Sequence, residues 1–176
     1  MSDNPWENEP DSLDWVHAGL PCAIRRGPLT GALNGYVGVP AGHPQYGQTP
    51  DDDAIEVHGG ITYAHEHLPG LGMPPQDEGF WWIGFDCAHA GDLIPEIGPF
   101  FDEDVYRDIA YVREQAERLA SHLAAIAKAR KVSRCGYQVT PSTCSKPGVS
   151  GTQEIDCEHC DTGTAQAKAA IAKAKA

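Results

Sequence analysis

Basic residues are scarce in this chain: 13 Lys and Arg stand against 25 Asp and Glu, a formal charge of −12 over 176 residues. Such a surface repels phosphate backbones and anionic membranes, so duplex nucleic acid is excluded as a natural partner. A small anionic ligand is not excluded, because local donors or a metal outweigh the global field within a Debye length of about 8 Å. Long apolar runs are missing too. No stretch approaches the roughly 18 consecutive apolar residues of a membrane span. Met1 to Leu13 offers no basic segment leading into an apolar one, so neither a signal peptide nor a membrane partner is expected, and the expected compartment is the cytoplasm. The six cysteines include the pair Cys157-Glu158-His159-Cys160. They suit metal binding or free thiols in a reducing compartment better than a disulfide scaffold.

Glycine and proline are plentiful, at 19 and 14 residues, which favours a loop-rich fold over a helical bundle. The length suits one ordinary domain with room for a small appendage. Residues 1–12, acidic and carrying Pro5 and Pro10, are expected as a flexible leader from which Trp6 could dock on the surface. Residues 13–131 are expected as an α+β domain, a small, mostly antiparallel sheet packed against one long amphipathic helix. Cys22 to Arg26 and Gly35 to Val39 have the punctuation of short neighbouring strands. Ile55 to Val57 and Ile61 to Tyr63 are β-like runs separated by His58-Gly59-Gly60, where a bulge or tight bend is expected. Phe80 to Phe85 is the most strand-like run, and it delivers Asp86-Cys87-Ala88-His89-Ala90-Gly91-Asp92 at its end.

The spacing of Val105, Ile109, Val112, Ala116, Leu119, Leu123 and Ile126 predicts a helix from about Asp102 to Lys131. Acids at 102–104 and bases at 128–131 complement its dipole, and Arg113/Glu117 and Glu114/Arg118 are spaced for i,i+4 pairing. The apolar stripe would serve a coiled coil equally well, but the strands need cover, which favours the intramolecular core. Beyond Val132 the composition turns to Ser, Thr, Gly, Pro and Cys, then to an Ala/Lys tail. The twelve-residue tail, Ala165 to Ala176, has helical propensity, yet an isolated helix of that length is marginal in water, where roughly 12 to 15 residues are needed, so it is expected to be frayed or docked.

Four groups of residues could carry chemistry. His58, Asp86 and His89, with Asp92 as orienter or base, offer the imidazole and carboxylate donors of a Zn or other divalent site that activates water. His43, His65 and His67 are further nitrogen donors. The bland alternative is a hydrogen-bonded His58–Asp86 pair that fixes strand ends, with His65 and His67 merely solvated. Secondly, Cys87 could be a nucleophile activated by His89 or His58, with the Gly59 and Gly60 amides as oxyanion donors; as a rule, a cysteine after an aromatic strand is a small buried hydrophobe. Thirdly, Gly59, Gly60, Arg25, Arg26, His58 and Trp81 or Trp82 could line a pocket for a nucleotide-like or other small molecule. Against this, adjacent Trp81 and Trp82 point to opposite faces of a strand. Fourthly, Cys135, Cys144, Cys157 and Cys160 could form a small structural Zn knuckle that staples residues 132–176, or be incidental thiols of a flexible tail.

Gly35-Tyr36-Val37-Gly38-Val39-Pro40 with His43-Pro44, then Val57-His58-Gly59-Gly60-Ile61-Thr62-Tyr63, then Trp82-Ile83-Gly84-Phe85-Asp86-Cys87-Ala88-His89-Ala90-Gly91-Asp92 form three ordered blocks. In these the chain resembles a group of small proteins from tailed phages and their bacterial hosts. The resemblance runs over roughly residues 15 to 125, into Tyr106-Arg107 and Tyr111-Val112. It implies a phage or prophage setting, hence a host cytoplasm and a host protein as a conceivable partner, and no particular chemistry. The leading functional expectation is metal-assisted hydrolysis of a small polar substrate. Non-catalytic binding of a small molecule or of a host protein is the alternative.

Overall fold

The computed structural model describes residues 4–50, 55–69, 79–134, 138–140 and 143–145. Strands β1 (Ser12–His17), β2 (Leu20–Arg26), β3 (Leu33–Pro40), β4 (Tyr63–His65) and β5 (Phe80–Phe85) form one antiparallel sheet in the order β1-β2-β3-β5-β4. Helix α1 (Ile109–Arg134) lies across one face, and a separate short pair joins β6 (Gln138–Thr140) to β7 (Thr143–Ser145). The fold is therefore α+β, as the sequence predicts. Strands β1 and β2 meet in a two-residue turn, Ala18-Gly19, whose φ values of 51° and 80° are those of a primed hairpin turn matched to strand twist.

Alternation along the strands divides the sheet into two faces. Cys22, Ile24, Val37, Ile83 and Phe85 point toward α1 and pack with its Val112, Ala116, Leu119 and Leu123. Ala23, Tyr36, Trp82 and Phe80 occupy the other face with Leu68. The helical stripe is thus spent inside the chain, as the strands' need for cover requires. Trp81 packs against the helix-side core while Trp82 sits on the opposite face.

The helix begins later than its sequence pattern predicts, at Ile109 and not near Asp102. Asp104 Oδ2 accepts the amides of Phe100 (2.7 Å) and Phe101 (3.0 Å), holding that stretch in a turn. Val105, counted in the stripe, instead pairs with Asp92 in an isolated parallel bridge and is half exposed. The helix is capped by Asp108, whose Oδ1 accepts the Tyr111 amide at 2.8 Å, and by Glu9, whose Oε1 accepts the Ile109 amide at 3.0 Å. Within the stretch expected as a leader, Pro5–Asn8 forms a 3-10 turn and Trp6 packs on Tyr106, 5.2 Å between ring centroids. The Arg113–Glu117 and Glu114–Arg118 pairs form at 2.9 and 3.6 Å. Ile55 to Val57 is not a strand, and Tyr63 opens β4 where Tyr63 to His65 pairs with β5.

Two glycines let aromatic rings lie flat on the sheet. Gly35 is opposite Phe85, and Gly84 is opposite Tyr36. A Cβ on Gly84 would sit 2.5 Å from Tyr36 Cδ1 and 2.6 Å from the Gly35 carbonyl oxygen. The second of these is backbone and cannot swing away. Gly84→Ala is therefore expected to cost about 1 to 3 kcal/mol of overpacking strain, measured by urea unfolding. A loss below about 0.5 kcal/mol, the range of neutral surface changes, would contradict this packing.

Candidate functional site

The Phe85 ring is locked in the core, so the chain leaves β5 at a fixed point and turns at once. The Asp86 amide donates to Thr62 Oγ1 at 3.0 Å, and Asp86 Oδ1 accepts the Ala88 amide at 3.1 Å. The Asp92 amide then donates to the His89 carbonyl at 3.0 Å, closing the loop. Leu93 N to Val105 O and Val105 N to Gly91 O, both 3.0 Å, clip the loop to the segment before α1. This clip carries Asp92 inward to 1% exposure and sets it beside Arg107.

A carboxylate so buried must be paired or lose its charge. Asp92 Oδ1 accepts from Arg107 Nε at 2.8 Å, while Oδ2 accepts from His58 Nε2 at 2.8 Å and from the His89 amide at 3.0 Å. Burial alone raises the carboxyl's pKa, but Arg107, the His89 amide and His58 together outweigh it, and the net direction is down. Asp92 is therefore ionised at neutral pH. Nδ1 of His58 lies 3.0 Å from the Tyr111 hydroxyl, and in the neutral ring that donates from Nε2 to Asp92 it accepts from that hydroxyl. The Arg107 guanidinium in turn lies 4.9 Å from the centroid of the Tyr111 ring.

His89 is the incomplete member. Its ring meets that of His58 edge to face, with centroids 5.5 Å apart. Its Nδ1 is buried and makes no hydrogen bond, lying 3.7 Å from Asp86 Oδ1 and 3.9 Å from Asp92 Oδ2. Gly59 makes room for this ring, because a Cβ there would strike the imidazole and its φ of 65° disfavours any other residue. One ligand atom each from His58, His89 and Asp92 falls within 4.8 Å of the others, so the three could hold a metal ion. Tetrahedral zinc with bonds of about 2.0 to 2.1 Å needs ligand atoms about 3.3 Å apart. Closing the group onto an ion therefore asks for movements of about 1 Å, within the reach of loop side chains.

Asp86, expected as a ligand, stands at the rim: its carboxylate neighbours His89 and serves the loop's own backbone. Asp92, expected as orienter, is the central carboxylate. Gly60 supports the turn by donating to the Val57 carbonyl at 3.2 Å. Arg25 pairs with Asp14 at 2.6 Å, and Arg26 with Asp11 at 2.7 Å. Trp82 is on the face away from α1. Arg25, Trp82 and His58 are thus not gathered into one pocket. His43 is buried with Nε2 donating to the Leu123 carbonyl at 2.9 Å, and His65 and His67 are exposed near Trp81. Cys87 is buried, and burial, then Asp92 and Asp86, push its thiol up to about 12, which opposes a thiolate nucleophile. Cys135, Cys157 and Cys160 lie outside the described residues, as does the side chain of Cys144.

Arg107 and Tyr111 were not among the sequence-derived site candidates. Their i,i+4 spacing at a helix start was the available signal, but it does not distinguish a site from a solvated face. No helix among the described residues is long and apolar enough to cross a membrane. No protein-family model, curated protein or solved structure matches the chain.

The lowered pKa of Asp92 fixes the sign of its pH dependence. Its charge stabilises the fold fully above the unfolded value of about 3.8, and that contribution is lost as pH falls through the lower folded value. Asp92→Asn should cost about 1.5 to 3 kcal/mol at pH 7, with the gap to wild type narrowing once pH drops below about 4. Denaturant titrations at several pH values measure this. An unchanged gap across that range would remove Asp92's charge from the account.

Proposed function

We propose that the chain binds one divalent first-row metal ion, Zn²⁺ by the chemistry of its donors, through His58 Nε2, His89 Nδ1 and Asp92 Oδ2. We further propose that it uses the ion to hydrolyse a small polar substrate. The observation that carries the reading is the His89 Nδ1 atom, buried without a hydrogen bond and facing the carboxylate oxygen that His58 already engages. An orphaned buried nitrogen is costly unless something pairs with it. Two imidazoles and a carboxylate suit zinc and leave a fourth position free. A bound ion would supply Lewis-acid activation of water at that position.

The chain's own residues have definite parts in this reading. His58 would release the Nε2 proton now shared with Asp92 and carry a proton on Nδ1, where the Tyr111 hydroxyl turns from donor to acceptor. Asp92 would keep Oδ1 on Arg107, so its orientation persists while Oδ2 faces the ion. Asp86, about one-third exposed at the rim beside His89, would take a proton from an incoming water molecule. Arg107 partly offsets the carboxylate charge, which weakens a cation site relative to one with a free carboxylate.

Metal content of the purified chain, measured after equilibration with Zn²⁺ and removal of excess, tests the reading. The Cys157→Ser/Cys160→Ser background separates it from any thiolate site. In that background we expect one Zn²⁺ per chain, lost in His89→Ala. Tyr111→Phe should weaken affinity by about 10- to 100-fold, the usual cost of removing a ligand's outer partner. Zn²⁺ retained in His89→Ala, or none bound by the folded parent, would overturn it.

A further inference from the structure

A second group of residues lies further along α1 and reaches Ser121, about 15 Å beyond Tyr111 at 1.5 Å rise per residue. Arg113, Glu117 and Ser121 follow one another at i,i+4 spacing, so they share one ridge of the helix. Edge strand β1 runs beside this ridge and points Trp15 and His17 at it, because residues two apart in a strand face the same way. His17 Nε2 is 3.0 Å from Ser121 Oγ, and His17 Nδ1 is 3.8 Å from Glu117 Oε2. Glu117 is itself held in place, accepting from Arg113 Nε at 2.9 Å, and Arg113 lies over the Trp15 ring at 5.4 Å. His17, Glu117 and Ser121, together with Glu114, Arg118 and His122, line a shallow cleft of about 510 Å³ that is largely open to solvent. The cleft does not include His58, His89 or Asp92.

Hydroxyl, imidazole and carboxylate in this order are the three roles of a nucleophilic triad: nucleophile, base and orienter. A metal is not the natural occupant, since among the described residues the donor atoms of His17, Glu117 and His122 do not converge as a ligand group. We infer that Ser121, His17 and Glu117 form a second, metal-independent site that cleaves small activated or acetyl-type esters through an acyl-serine. The Ser121 Oγ–carbonyl carbon bond forms as the hydroxyl proton passes to His17 Nε2. The carbon–alkoxy bond then breaks, and the leaving oxygen takes that proton and departs as the alcohol. Water, giving its proton to His17, attacks the acyl carbon; the ester bond to Ser121 breaks, and Oγ recovers the proton as the carboxylic acid leaves. Glu117 steadies the imidazolium in both halves, and Arg118 and His122 line the cleft where the oxyanion develops. Because the cleft is open it buries little of a long acyl chain, so small activated esters, which need little binding energy to react, are the substrates that suit it.

The test uses the full chain with a fluorophosphonate probe and with p-nitrophenyl acetate, both after treatment with a chelator. We expect the probe to add to Ser121, located by mass spectrometry. The rate of adduct formation should fall by about 100-fold or more in His17→Gln and by a smaller factor in Glu117→Gln. Ser121→Ala replaces an exposed helical residue with a better helix former, so it should remain folded by circular dichroism while losing both adduct and ester turnover. The inference is overturned if the folded wild type forms no Ser121 adduct, if His17→Gln labels at the wild-type rate, or if Ser121→Ala hydrolyses the ester undiminished. Because the metal is removed throughout, failure here leaves the His58–His89–Asp92 reading standing, and failure of that reading leaves this one intact.

Discussion

Asp92 holds a negative charge where almost no water reaches it, and the arrangement of three chain segments follows from that. An ionised carboxylate in such a place must meet compensating charge and hydrogen-bond donors. Arg107 supplies the charge, and the His89 amide and His58 supply the donors. Each comes from a different part of the chain: the segment entering α1, the loop leaving β5, and the glycine turn at 58–60. Removing any of them leaves the charge under-compensated, so the carboxylate specifies how these segments meet.

The sheet and helix prepare this meeting. Phe85 is pinned between Gly35 and the helix-side core, so the departing chain can only turn over the end of the sheet. The Asp92–Val105 bridge brings the helix entrance to the same end, and Glu9 and Asp108 cap the helix there. The helix thus has two duties. Its apolar stripe covers β2 and β3, and its first turn delivers Tyr111 to His58. A polar cluster at the rim of an aromatic-rich sheet gains strength from the low local dielectric, and for the same reason the unpaired His89 Nδ1 stands out.

Much of the scaffold was legible because burial leaves apolar runs and simple periods. Apolar, β-branched or aromatic runs with glycine and proline punctuation marked strands at Phe80 to Phe85 and Gly35 to Val39, and the stripe from Ile109 to Ile126 gave the helix and the face it buries. The helix start was misplaced because acids at 102–104 mimic a favourable first turn, while Asp104 in fact bonds the amides of Phe100 and Phe101. No local period reports such a competition between side chain and backbone. Strand β1 was missed because its outward residues alternate with only half-buried ones, as an edge strand permits.

The candidate site was legible in part for a related reason. His58, His89 and Asp92 stood out as polar residues in glycine-containing loops beside strands, and they do come together. Exchanging the expected roles of Asp86 and Asp92 depends on depth, and depth is set by the Val105 clip, a pairing between loops that no sequence pattern announces. Arg107 and Tyr111 were invisible as site residues because an arginine and a tyrosine at a helix start are ordinary surface choices. The central proposal is that His58 would exchange its hydrogen bond to Asp92, and His89 its unpaired Nδ1, for a bound metal ion. Nitrogen-15 NMR of the imidazole rings during Zn²⁺ titration tests it most directly. The account predicts that one equivalent moves the His58 proton from Nε2 to Nδ1 and shifts His89 Nδ1 to a coordinated value. Both rings unchanged in the folded protein after that equivalent would contradict it.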